Sequence, residues 1–142
     1  MYSRRPLVRC RQLSTREETT VIVVDSDRFM RRALKMQLKL AGFNVLLFDS
    51  AESLLESSLL TKNACLLLDM HLPGINCVEL CRKLAASGRQ PSTILMSASD
   101  DELTHRIVTE AKAVAVLSKP FDEEALLGAI RKALLKPPNL SP

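Results

Sequence analysis

Aromatic residues are scarce in this chain: no Trp, one Tyr and four Phe in 142 residues. A chain of that length forms one domain with a sizeable core, and that core must be built mostly from Leu, Ile, Val, Ala and Met. Glycine is scarce too, and four scattered glycines leave no Gly-rich loop to cradle a nucleotide phosphate. No Ser/His/Asp elbow is present. The two histidines, His71 and His105, lie too far apart to argue for a metal pair, and cysteines at 10, 65, 77 and 81 complete no zinc pattern. Free thiols in a reducing cytosol are expected, with Cys65 in an apolar run and Cys77 and Cys81 on one helix face. No apolar run nears the ~20 residues needed to cross a membrane.

Acidic residues are missing from one place. None precedes Glu17, while Arg4, Arg5, Arg9, Arg11 and Arg16 all do. Without those five arginines, 15 basic residues face 16 acidic ones, so the net charge of +4 belongs to the tail and does not mark the body as a nucleic-acid binder. That tail lacks the apolar face of a transit peptide. The expected organisation is a basic tail over 1–18, one domain over 19–136, and a Pro-rich tail or linker start over 137–142.

What the chain does have is short apolar runs alternating with helical patterns. Thr20–Asp25 is β-branched and apolar, a buried strand. Met30, Ala33, Leu34, Leu38 and Ala41 repeat at helical spacing, with Asp27 as cap and Gly42 as stop. A strand over Asn44–Phe48 and a Ser50-capped helix to about Leu60, burying Leu54, Leu55 and Leu59, come next. After the strand Ala64–Asp69 and the Pro73-Gly74 break, Asn76 and Glu79 form a capping box. Their helix should bury Val78, Cys81, Leu84 and Ala85. The remaining elements are a strand over Ser92–Met96, a helix from about Ser99 to Glu110 opened by Ser99 and Glu102, a strand over Ala113–Leu117, and a helix from Asp122 to about Leu135 burying Leu126, Leu127, Ile130 and Leu134. Of Met96, Leu103, Ile107 and Val116, most should be core. Five strand–helix repeats with fully apolar strands predict an α/β doubly wound parallel sheet, in the flavodoxin-like order 2-1-3-4-5.

In such a sheet each strand delivers its last residues to one edge. Those residues are Asp25 with Ser26 and Asp27, then Asp69, then Ser97 with Ser99 nearby, then Ser118, Lys119 and Pro120. Asp69 alone could equally open a turn, Asp27 could equally cap a helix, Ser97 could be a turn residue, and Lys119 could be a surface lysine before a proline. Together they converge: carboxylates that tolerate one another around a cation, all-oxygen ligands suited to Mg²⁺, a hydroxyl, and a lysine ammonium. That set is what transfer of a phosphoryl group onto a carboxylate needs.

Val-Val-Asp at 23–25, Leu-Leu-Asp-Met-His-Leu-Pro-Gly at 67–74, Ile-Leu-Met-Ser-Ala at 94–98 and Ser-Lys-Pro-Phe at 118–121 resemble the receiver domain of two-component response regulators. The similarity runs over about residues 19–136, and it is nearest to receivers that precede helix-turn-helix output domains. The resemblance implies Asp69 as phosphoacceptor for a sensor histidine kinase, Asp25 as first acid of the Mg²⁺ pocket, the His71 backbone carbonyl as a metal ligand, Ser97 as switch hydroxyl, and Lys119 as partner of the acceptor and its phosphate. It implies a cis Lys119–Pro120 bond, cytoplasmic location, a linked or separate output domain, and a homodimer through the face of the fourth helix, fifth strand and fifth helix. Turnover catalysis, direct nucleic-acid binding and membrane insertion by this domain are not implied.

Three positions depart from the family pattern. Ser26 stands where a second metal-binding acid is usual, with Asp27 one residue on as a differently pointing substitute, so weakened Mg²⁺ binding is expected. Val116 replaces an aromatic residue whose rotation follows the switch hydroxyl, and Val is stiff at χ1. Lys112 replaces a glycine before the last strand. Ser26 and Val116 suit a rival function, a phosphorylation-independent pseudo-receiver binding module. A second rival is a phosphatase: Val-Val-Asp-Ser-Asp at 23–27 also resembles the opening of haloacid-dehalogenase enzymes, with Asp25 as nucleophile and Asp27 as acid/base. It leaves Asp69 unexplained and lacks the late acidic pair.

Overall fold

The computed structural model describes residues 19–58 and 64–135. Five strands and five helices alternate: β1 (Thr20–Val24), α1 (Arg28–Leu40), β2 (Asn44–Phe48), α2 (Ala51–Glu56), β3 (Ala64–Asp69), α3 (Cys77–Ala86), β4 (Ser92–Ser97), α4 (Glu102–Ala111), β5 (Ala115–Ser118) and α5 (Glu123–Leu135). All neighbouring strands pair in parallel, in the order β2-β1-β3-β4-β5. The flavodoxin-like arrangement expected from the apolar runs is the one observed.

Strand alternation sorts the core into two layers. Ile22, Val24, Leu66, Leu68 and Leu95 face α2, α3 and α4 through Ala51, Leu54, Leu80, Leu84 and Ala111. Val21, Val23, Cys65, Leu67, Ile94 and Met96 face α1 and α5 through Leu34, Leu38, Leu126, Ile130 and Ala133. Every residue of β3 and β4 is buried. Helices cover both faces, which is why these strands read as unbroken apolar runs.

Helix starts follow side-chain capping. Asp27 accepts the Phe29 N–H, Ser50 the Ser53 N–H, and Asn76 the Glu79 N–H. α1 stops at Ala41, and Gly42 beyond it takes φ +99°. Elsewhere the boundaries and faces shift. α2 ends at Glu56, short of Leu60, because Ser57 is extended; Leu59 lies outside the described residues, as do both tails. α3 buries Cys77, Leu80, Cys81 and Leu84, whereas Val78 is half-buried and Ala85 exposed. The 77/80/81/84 stripe is the one that packs on the sheet, with Val78 at its flank. α4 is capped by Asp101 and not by Ser99, since Asp101 accepts the Thr104 N–H at 2.9 Å. Ala33 and Leu103 are exposed, Leu127 is half-buried and Leu134 is largely exposed; Ala133 takes Leu134's place in the α5 stripe.

β5 starts at Ala115, two residues later than expected. Lys112 takes a left-handed conformation, φ +58° and ψ +39°, and the Ala113 N–H returns to the Val108 carbonyl at 3.0 Å. The turn before β5 is therefore the glycine type of helix ending, made here with a lysine. It consumes Ala113 before the strand begins.

Candidate functional site: the carboxyl edge of the sheet

β1 and β3 are adjacent in the sheet, so Asp25 and Asp69 emerge side by side. Asp25 is 1% exposed and Asp69 7%. Two buried carboxylates this close need positive charge, and β5 supplies it. Lys119, directly after β5, places Nζ 3.0 Å from Asp25 Oδ2 and 3.7 Å from Asp69 Oδ1, with about a quarter of its side chain still exposed. The backbone fixes this reach, the Lys119 N–H donating to the Ser97 carbonyl at 2.7 Å. The Lys119–Pro120 bond is cis, as the resemblance implied.

Each carboxylate is also held by the loop behind it. Asp25 Oδ1 accepts the Asp27 N–H at 2.9 Å, and Asp69 Oδ1 accepts the His71 N–H at 3.1 Å. Both are the same two-residue turn, in which an aspartate at a strand end accepts from the backbone two residues on. Asp69 thus does open a turn, and the same turn leaves its side chain at the sheet edge beside Asp25 and Lys119. The Asp69 side chain stays at the mouth, and the His71 main chain lies beside it.

Ser97, fully buried at the end of β4, is next to Asp69 in the sheet register, which pairs Asp69 with Met96. Its hydroxyl is engaged along its own loop: it donates to the Ser99 carbonyl at 2.8 Å and accepts the Ser99 N–H at 3.0 Å. Asp27 is occupied as the α1 cap, its Oδ1 accepting the Phe29 N–H at 2.9 Å. It does not join the other two carboxylates, and among the described residues no three carboxylates, imidazoles or thiols gather closely enough to hold a metal ion. Ser26 is exposed.

Over residues 21–131 the chain fits the family model described as the response regulator receiver domain. The chain belongs to the response regulator receiver family. The response regulator protein TmoT of Ectopseudomonas mendocina is 34% identical over 129 residues, covering 91% of this chain and 59% of TmoT. The transcriptional regulatory protein FixJ of Azorhizobium caulinodans is 30% identical over 118 residues, covering 83% of this chain and 56% of FixJ. Among solved structures, FixJ-N superposes with a TM-score of 0.75 at 28% identity, over 84% of this chain and 95% of that one. The response regulator StyR superposes with a TM-score of 0.73 at 38% identity, over 82% of this chain and 59% of that one. The chain spans little more than half the length of the curated relatives it matches. Nothing in these likenesses points to a phosphatase or to a pseudo-receiver.

Two contacts of the receiver's edge carried no signal in the sequence. Arg31, one turn into α1, donates from Nη1 to the Asp25 main-chain carbonyl at 2.6 Å. Glu52 of α2 lies against the loop after β3, its Oε2 accepting the Ile75 N–H at 3.4 Å. A Cβ on Gly74, which sits at φ +84°, would come within 2.7 Å of that oxygen. Glycine is favoured here by its left-handed conformation, whereas the close contact is with the end of the flexible Glu52 side chain, which can move aside. Either contact could have been found only by knowing which helix lies beside which loop. The three described cysteines, Cys65, Cys77 and Cys81, are buried free thiols. Burial pushes the Cys65 and Cys81 thiols up to about 12 and also raises Cys77, so all three act as small apolar core groups.

Proposed function

We propose that this receiver accepts a phosphoryl group on Asp69 from a sensor histidine kinase and passes the change to an output domain that regulates transcription. The observation that supports it best is Lys119 Nζ, placed 3.0 and 3.7 Å from two buried carboxylates at one sheet edge. In the transfer, an Asp69 oxygen attacks phosphorus, the P–O bond forms, and the bond from phosphorus to the donor's leaving atom breaks. The Lys119 ammonium balances the charge that gathers on the equatorial oxygens. Hydrolysis of the acyl phosphate later restores the carboxylate, so the domain is a reversible acceptor rather than a turnover enzyme.

The residues present fit Mg²⁺ of a lightly held kind. Asp25, Asp69 and the His71 carbonyl would hold it, with water and phosphoryl oxygens completing the shell, as is usual for this ion. Bound there, it neutralises phosphoryl charge. Asp27, occupied as a cap, is left out of this set. Ser97 is the switch: on phosphorylation its hydroxyl exchanges the Ser99 carbonyl for a phosphoryl oxygen, and the β4–α4 loop moves with it. A cytoplasmic location and pairing of two copies through α4, β5 and α5 belong to the same reading.

Incubation with acetyl phosphate and Mg²⁺, read by intact mass, tests it. One phosphoryl group should be added to the native chain and none to Asp69→Asn. Label that persists in Asp69→Asn, or no label on the native chain, overturns it.

A further inference from the structure

We propose that Thr104 is a positioning residue of the switch: its hydroxyl takes over the Ser99 carbonyl when the Ser97 hydroxyl leaves it. The handover carries the state of Ser97 to the start of α4. Its functional side rests on the phosphoacceptor reading of Asp69 and deepens that reading.

Geometry comes first. The Ser99 carbonyl oxygen lies between two hydroxyls, Ser97 Oγ at 2.8 Å and Thr104 Oγ1 at 3.5 Å. Ser97 and Thr104 are both buried, although Ser99 itself is exposed. A hydroxyl has one proton to give. Thr104 gives it to Asp101 Oδ1 at 2.8 Å, and the Thr104 N–H donates to the same oxygen at 2.9 Å. The backbone bond keeps Thr104 in place, and its hydroxyl stands within reach of two acceptors. Threonine is stiff at χ1, but the O–H turns freely about its own bond. A turn of that proton and a small closing of the gap complete the exchange.

Energetics set when the exchange happens. While Ser97 donates to the Ser99 carbonyl, the Thr104 proton does better on the Asp101 carboxylate, because a bond to an ionised acceptor is the stronger one. Once Ser97 leaves, the carbonyl has lost its close donor, and an acceptor left without one costs more than a bond exchanged. Asp101 tolerates the exchange: it is exposed, it keeps the Thr104 N–H, and water replaces the hydroxyl. The α4 cap is thereby left with one of its two bonds from Thr104. Val116 on β5, half-buried and stiff at χ1, has no comparable motion with which to follow Ser97.

Carboxyl NMR titration of Asp101 in the full chain, with no phosphodonor present, tests the handover. The Thr104 N–H and hydroxyl hold the Asp101 carboxyl below its usual range, and the charge of His105 adds a little. His105 and the neighbouring acids Asp100 and Glu102 are the same in every variant. Ser97→Ala takes the close donor from the Ser99 carbonyl, so the Thr104 proton should move there and the Asp101 pKa should rise. Thr104→Val should raise it too, and adding Ser97→Ala to Thr104→Val should raise it no further. An Asp101 that titrates in Ser97→Ala as in the native chain overturns the proposal, and so does a further rise in the double variant. In the second arm, the labelled fraction at limiting acetyl phosphate with Mg²⁺ is read by intact mass. Thr104→Val should lower it about three- to tenfold, the worth of one hydrogen bond, and Thr104→Ser should stay within about twofold of native. Asp101→Asn keeps the cap but loosens the resting hold on the Thr104 hydroxyl, so it should raise the labelled fraction. A merely structural role would move Thr104→Val and Asp101→Asn alike or leave both unchanged, and either result overturns the proposal. A native chain that takes no label sinks the phosphoacceptor reading and leaves the Asp101 titration to decide the role of Thr104.

Discussion

The two halves of the Asp69 pocket are built differently. On the β4–β5 side the sheet itself does the placing: Ser97 pairs with Ser118 in register, and the next residue donates its N–H back to the Ser97 carbonyl. Ser97 and Lys119 are thus fixed by strand pairing and the bond that follows it. On the β1–α1 side the chain leaves the sheet at Asp25, and everything beyond it is set by a local turn and a helix cap. A residue change there alters the pocket without disturbing the sheet. It is on this side that Ser26 stands where a metal-binding acid was expected; on the ladder side the expected departures, Val116 and Lys112, leave Ser97 and Lys119 where strand pairing puts them.

The comparison can be broken most sharply at the residue between the halves. Asp69→Asn should abolish labelling by acetyl phosphate altogether, as seen by intact mass, while the fold is kept. Next in size, Lys119→Met removes the ladder-side cation and leaves Asp25 and Asp69 facing each other. Labelling should slow by about tenfold or more, the loss expected on removing one preorganised electrostatic partner. Urea unfolding at neutral pH should show a loss of about 1–3 kcal/mol, less than for a fully buried pair because Lys119 is partly exposed. If Lys119→Met labels at the native rate, the ladder half is not the catalytic half.

The loop side predicts a gain instead. Ser26→Asp supplies the missing acid, and Mg²⁺ affinity should rise by about tenfold, one added carboxylate near a divalent ion being a strong local term. Asp27→Ala should behave in the opposite manner. It should cost about 1 kcal/mol of stability through the lost α1 cap, with Mg²⁺ affinity within about twofold of native. A large fall in Mg²⁺ affinity in Asp27→Ala would make Asp27 a ligand after all.

How much of this was legible beforehand follows the same division. Asp25, Asp69 and the reach of Lys119 could be read because each follows a run of buried strand residues, and parallel strands all end at one edge. Sheet order followed from the number and length of the strand–helix repeats. Helix faces were less legible. In α3 two apolar stripes, one through Cys77 and Leu80 and one through Val78 and Ala85, fit the same spacing and share the Asn76 cap, and only packing against the sheet chooses between them. The α4 cap went to Asp101 rather than Ser99 because the Ser99 backbone is engaged by the Ser97 hydroxyl, a contact between strand end and loop that no local pattern announces. Arg31 was invisible for the same reason: its partner is a backbone oxygen, which has no letter in the sequence.

Lys112 offers the smallest effect and a control for the whole comparison. It lies on the ladder side, yet in a turn, and is the only non-glycine with positive φ among the described residues. A side chain in the left-handed region carries a steric cost of roughly 1–2 kcal/mol relative to right-handed backbone, a cost that glycine escapes. Against this, glycine adds freedom to the unfolded chain, worth about 0.4–1 kcal/mol in the other direction. The steric gain should win by a small margin, so Lys112→Gly should raise stability by about 0.5 kcal/mol, seen as a higher urea midpoint at unchanged slope. Mg²⁺ affinity and labelling should stay as in the native chain, because the turn lies at the opposite end of β5 from Lys119. A change in labelling would mean that the start of β5 is coupled to the pocket, and that strand pairing holds Lys119 less firmly than its bond to Ser97 implies.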